Sequence, residues 1–175
     1  MKKIILRYSI YSSIAEFVCF VLTWLIIDIT HVEHKTQGAI GYVTIIVPML
    51  FVYFGIRYYR DKIKNGNIKF LEALKVGLLI VIMPTISFAI IETVYVLYIE
   101  PDFYDKIFAF DIEEYRKILS PEKFAIKLKE MQEQLRSIKN PLTNFCEMIL
   151  TIGALGVIVT LISSLLLMRK AKQAA

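Results

Sequence analysis

Residues 71–98, LEALKVGLLIVIMPTISFAIIETVYVLY, hold more consecutive apolar side chains than a helix in a soluble core needs. About 20 such residues match the hydrocarbon thickness of a bilayer. This stretch is long enough to cross with some tilt. In lipid every backbone amide must be paired internally, so a chain organised around such a segment is restricted to helices or a closed barrel. Composition agrees: 57% of the residues are apolar and the mean hydropathy is +0.57, against roughly 45–50% apolar in soluble domains. The net charge of +5 fits Lys and Arg gathered at cytoplasmic helix ends. It does not indicate nucleic acid, since no basic stripe with interleaved aromatics is readable.

Three further spans follow from the same reading. Residues 8–30 are too long for a signal-peptide core, contain Glu16 and end without a small-residue cleavage site, so they predict an uncleaved first span. Within it Ser9, Ser12, Glu16, Cys19 and Thr23 recur at alternating spacings of three and four, which places them on one helix face. Polar and small residues in a membrane turn toward other helices, so this stripe is expected to carry Glu16 into a bundle. Residues 39–56 predict a short second span broken by Pro48, whose freed carbonyl a neighbouring helix re-satisfies. Residues 71–99 are the third, with Pro84 as a kink. Residues 142–168 are the fourth, where Gly156, Thr160 and Ser164 form a small-residue ladder suited to close helix packing. Cys19 and Cys146 lie at different predicted depths, so they are expected as free thiols.

Residues 101–141 are the one long polar segment, with eight basic and eight acidic residues. Asp111 and Glu114 have the spacing of a capping box. Ser120, Pro121 and Glu122 read as N-cap, first-turn proline and first-turn acid. Two amphipathic helices are therefore expected. The second carries an apolar seam of Phe124, Leu128, Met131, Leu135 and Ile138 on a charged helix. Residues 102–110, DFYDKIFAF, read as an interfacial amphipathic piece. The architecture expected is all-α: a four-helix transmembrane bundle, one membrane domain over residues 1–175, with an extramembrane helical hairpin between the third and fourth spans.

Orientation follows from Lys and Arg counts in tails and short loops. The start has three, residues 57–69 have five, the tail from 169 has three, and the first loop has only Lys35. Both termini are expected in the cytoplasm and residues 101–141 outside.

The residues resemble a known family. Four spans, the run RYYRDKIKNGNIKFLEALKVGLL, and MQEQLRSIKNPL leading into a last span that ends LISSLLLMRK look like the bacterial domain-of-unknown-function family 4199. The resemblance covers nearly the whole chain. It implies a small integral protein of the bacterial inner membrane, with acids at the positions of Glu92 and Glu147, and it implies no activity.

Ionisable groups inside hydrocarbon are costly and mark functional sites by default. Glu16 falls in the inner third of its span; Asp28, Glu92 and Glu147 fall in the outer third. Three acids at one depth on three helices suit a cation or proton site, though Glu147 lies opposite the Gly156 ladder. The plainer reading has Asp28 and Glu147 in wet headgroups and the other two satisfied by hydroxyl partners. His31 and His34 with Asp28 make a weak two-histidine pattern that is not a zinc-protease order, and no metal is assigned. No catalytic set, cofactor motif or phosphate loop is readable. Two functions remain. The first is a scaffold or accessory subunit docking a protein partner or a second copy through the 124–138 seam. The alternative is a small proton- or cation-coupled transporter or channel using the intramembrane acids. The seam favours the first.

Overall fold

The computed structural model describes residues 1–30 and 34–169. Six α-helices follow in order: α1 (Lys2–Thr30), α2 (His34–Ile63), α3 (Phe70–Val94), α4 (Phe103–Ile118), α5 (Pro121–Ile138) and α6 (Pro141–Leu167), with a π-helical turn, Tyr95–Ile99, after α3. The described residues form no strand; Ile68 and Arg169 make one antiparallel bridge. Among the described residues four helical stretches are long and apolar enough to cross a membrane: Lys2–Ile27, Ala39–Ile63, Phe70–Ile99 and Pro141–Leu167.

Several boundaries differ from the sequence expectation: α1 begins at Lys2 rather than residue 8, and α2 at His34 rather than residue 39. The second span does not stop at residue 56, because α2 continues through RYYRDKI to Ile63. Hydropathy marks where apolar side chains end, not where the helix ends, and Arg57, Arg60 and Lys62 are good helix formers that carry the helix on. Asp111 does not start a helix. It sits inside α4, which begins eight residues earlier at Phe103 with Asp102 in the N-cap position. An acid three residues before another is common on any charged helix face, so the spacing alone does not make a cap. Ser120 and Pro121 do occupy the N-cap and first helical positions of α5.

The chain groups into two compact units. The first comprises residues 1–88 and 149–175, and the second residues 89–148. In the first, Val52, Ile56, Tyr59, Val76, Ile80 and Leu167 form the buried core. Apolar side chains such as Leu6, Ile14, Phe17, Val43, Leu50 and Leu166 are exposed, as lipid-facing residues are in a bundle whose surroundings are as apolar as its core. The Asn65–Gly66 turn between α2 and α3 needs positive φ at both residues, 48° and 84°, a region Gly enters freely and Asn tolerates.

The α1 stripe packs inward: Ser9 and Ser12 are buried, and Glu16 is fully so. Its hydroxyls serve the proline breaks. Pro84 lacks the N–H that would pair the Ile80 carbonyl, and the Ser9 hydroxyl donates to that carbonyl at 3.0 Å. At Pro48 the Ser12 hydroxyl donates at 3.0 Å to the proline's own carbonyl, not to the one the ring frees. Ser9→Ala is therefore expected to cost about 1 kcal/mol. In a Pro84→Ala background, where residue 84 regains its amide, that cost should vanish. A double-mutant cycle of unfolding in detergent measures this coupling, and an unchanged Ser9→Ala cost would disprove it.

The second unit holds the end of α3, the π-turn, α4, α5 and the start of α6. Helices α4 and α5 are joined by two residues and pack on each other. They run antiparallel, because Lys139 at the end of α5 pairs with Asp105 at the start of α4 at 2.7 Å, and the Arg116 guanidinium lies 5.9 Å from the centre of the Phe124 ring.

Candidate functional site

Glu92 stands in the last full turn of α3, and its side chain is only 7% exposed. Just beyond it the helix widens into the π-turn, an irregularity that recurs at functional sites. The turn is fastened when the Tyr95 hydroxyl donates to the Glu100 carboxylate, which Lys106 pairs at 2.7 Å. The chain then enters α4, whose second residue is Tyr104, and its hydroxyl donates to Glu92 Oε1. On the other side Asn140 caps α6 by accepting from the Leu142 and Thr143 amides at 3.0 and 3.2 Å. One turn into that helix, Asn144 is fully buried. Its Nδ2 donates to the Tyr104 hydroxyl at 3.0 Å, and its Oδ1 accepts from Thr93 at 2.8 Å.

These bonds form a directed chain: Thr93 to Asn144, Asn144 to Tyr104, Tyr104 to Glu92. The sense of donation is consistent along it. Glu92 Oε2 is buried and outside that chain of bonds, with the Asn144 amide as the polar group beside it. Burial above all, and then the neighbouring Glu92 and its hydrogen bond, push the Tyr104 phenol above its ordinary value. Glu147, half-buried, adds to this as a nearby acid. Tyr104 thus keeps its proton and remains a donor to Glu92. A raised phenol gives stability that is complete below the unfolded value of about 10 and is lost as pH climbs past it toward the folded value. Alkaline unfolding should therefore begin above about pH 10 and be blunted in Tyr104→Phe, as ellipticity in detergent would show.

Glu16 lies in the first unit. Neither of its oxygens has a partner. Ser87, the polar group beside it, has its hydroxyl 3.2 Å from Ser13 Oγ and 3.0 Å from the Pro84 carbonyl. Glu16 and Glu92 thus belong to different units. Asp28 is in α1, but its side chain, like those of His31 and His34, lies outside the described residues. Cys19 and Cys146 are free thiols.

Helix α5 packs on α4, and its seam meets that helix at Phe124, beside Arg116. Met131 and Ile138 are buried, and Phe124, Leu128 and Leu135 are half-buried. Lys127 adds its ammonium 5.4 Å from the centre of the Tyr115 ring. The ladder on α6 is tightly used: Thr160 and Ser164 are fully buried, and a Cβ on Gly156 would collide with Val81.

Sequence reasoning did not find Tyr104 and Asn144 as site residues. An Asn at the head of an apolar span was the available signal for one. Tyr104 looked like any interfacial aromatic.

The family model described as "Protein of unknown function (DUF4199)" matches residues 7–169. No curated protein and no solved structure matches the chain.

Proposed function

Since the chain belongs to the DUF4199 family of proteins of unknown function, we propose from the site alone that it is a small integral membrane protein that exchanges a proton at the Glu92 carboxyl. The observation that carries this is the buried, unpartnered Oε2 of Glu92 beside an otherwise complete hydrogen-bond chain. A carboxyl in hydrocarbon that takes up and gives back a proton is the simplest group to pass charge across that barrier. The site favours a proton over a metal cation, because hard cations require about six or more oxygen ligands and Tyr104 and Asn144 are already committed to each other. The eleven Lys and Arg of the start, the 57–69 junction and the tail support an orientation with those parts cytoplasmic and the α4–α5 hairpin on the opposite side. The docking reading rests on the α5 seam, where Met131 and Ile138 are buried and the other three residues half-buried, so less of that face is open to a partner.

The test is reconstitution of the full chain in sealed vesicles with an internal pH dye. A pH step across vesicles clamped by a potassium ionophore should produce proton entry that scales with protein content. Vesicles no leakier than protein-free ones would refute the reading.

A further inference from the structure

The start of α1 and the end of α2 enclose an open groove of about 490 Å³ lined by Lys2, Lys3, Ile4, Arg7, Tyr58 and Ile63. We propose that this groove binds the phosphate head of an anionic phospholipid. Three of its lining residues are cationic and none is acidic. Lys3 and Arg7 are four apart on one helix, where like charges repel, a cost that a bound anion reverses. Among the described residues Lys2, Lys3 and Arg7 form no ion pair. The nearest acid in sequence on α2, Asp61, is engaged by Arg60 at 2.7 Å and by Arg57 at 3.8 Å.

The walls suit the rest of a lipid. Tyr8 packs its ring 5.9 Å from that of Tyr58, at the place where aromatic residues sit among headgroups. Along the same helices Leu6, Tyr11 and Phe54 are exposed and apolar, which offers acyl chains a surface directly beside the cationic groove. Any basic helix end attracts anionic lipid diffusely. A groove between two helices, with cations on one wall and no acid in its lining, holds one headgroup in place.

The test is native mass spectrometry of the full chain in mild detergent, with phosphatidylglycerol and phosphatidylcholine offered together. The wild-type chain should keep phosphatidylglycerol preferentially. The preference should fall about thirtyfold in Lys3→Gln/Arg7→Gln and persist in Lys3→Arg/Arg7→Lys, which keeps both charges. For the wild-type chain alone, roughly 0.5 M salt should erase the preference. Equal retention of the two lipids, a preference unchanged in the glutamine variant, or displacement of phosphatidylglycerol by millimolar inorganic phosphate would each overturn the assignment. The last would mark a site for the free anion.

Discussion

Glu92→Gln is expected to abolish proton entry while leaving the fold intact. Gln has the shape of Glu, and its carbonyl still accepts from Tyr104, so the Thr93–Asn144–Tyr104 chain survives. What is lost is the one group in that network able to bind and release a proton. Flux should fall by roughly a hundredfold, the usual worth of a positioned proton-transfer group, to the protein-free background. The chain should still fold, with a loss of at most about 1–3 kcal/mol, because the amide places N–H donors where Oε2 is buried without a partner. Tyr104→Phe separates the roles: it keeps the acid, removes its donor and should slow flux without ending it. Glu16→Gln is the necessary comparison. If it stopped flux while Glu92→Gln did not, the exchanging group would lie in the first unit and the present assignment would be wrong.

What the sequence made legible divides along physical lines. Long apolar runs can satisfy their backbone in lipid only as helices, so the four spans could be placed from composition. Periodicity in α1 identified its inward face, since Ser9, Ser12 and Glu16 share a stripe whatever they touch. Contacts between distant segments were not legible. Nothing near Pro84 says that Ser9, on another helix and 71 residues from Ile80, supplies the missing donor. Nothing in DFYDKIFAF says that Tyr104 turns back onto Glu92, because this depends on the π-turn and on where α4 begins. A charged amphipathic helix also presents capping-like spacings along its length, which is how Asp111 came to look like a start. The α5 seam was identified by its period, but period cannot say how much of such a face is already buried within the chain, as Met131 and Ile138 are.

Gly77 and Gly156 carry the second large effect, because they set how closely α3 and α6 approach. A Cβ on Gly77 would collide with the Thr160 methyl and stand 2.9 Å from Ile56 Cδ1, so it is hemmed in by side chains of two helices at once. A Cβ on Gly156 meets Val81 alone, through Cγ1, Cγ2 and Cβ. Val81 is β-branched and has little rotamer freedom in a helix, so it cannot swing aside. Gly156→Ala should therefore cost roughly 1–3 kcal/mol by overpacking, despite the better helix propensity of Ala. Adding Val81→Ala removes the colliding branch, and the double variant should lose much less than the sum of the single changes. Gly77→Leu has no such remedy and should fail to assemble, since relief on one side leaves the clash on the other. Unfolding in a denaturing-detergent titration reads all three variants. A Gly156→Ala chain as stable as wild type, or strictly additive losses with Val81→Ala, would mean that the helices are held apart by something other than this contact. Ser164 and Thr160 on the same face are buried with unpartnered hydroxyls, so small size rather than hydrogen bonding is what this face of α6 supplies to its neighbour.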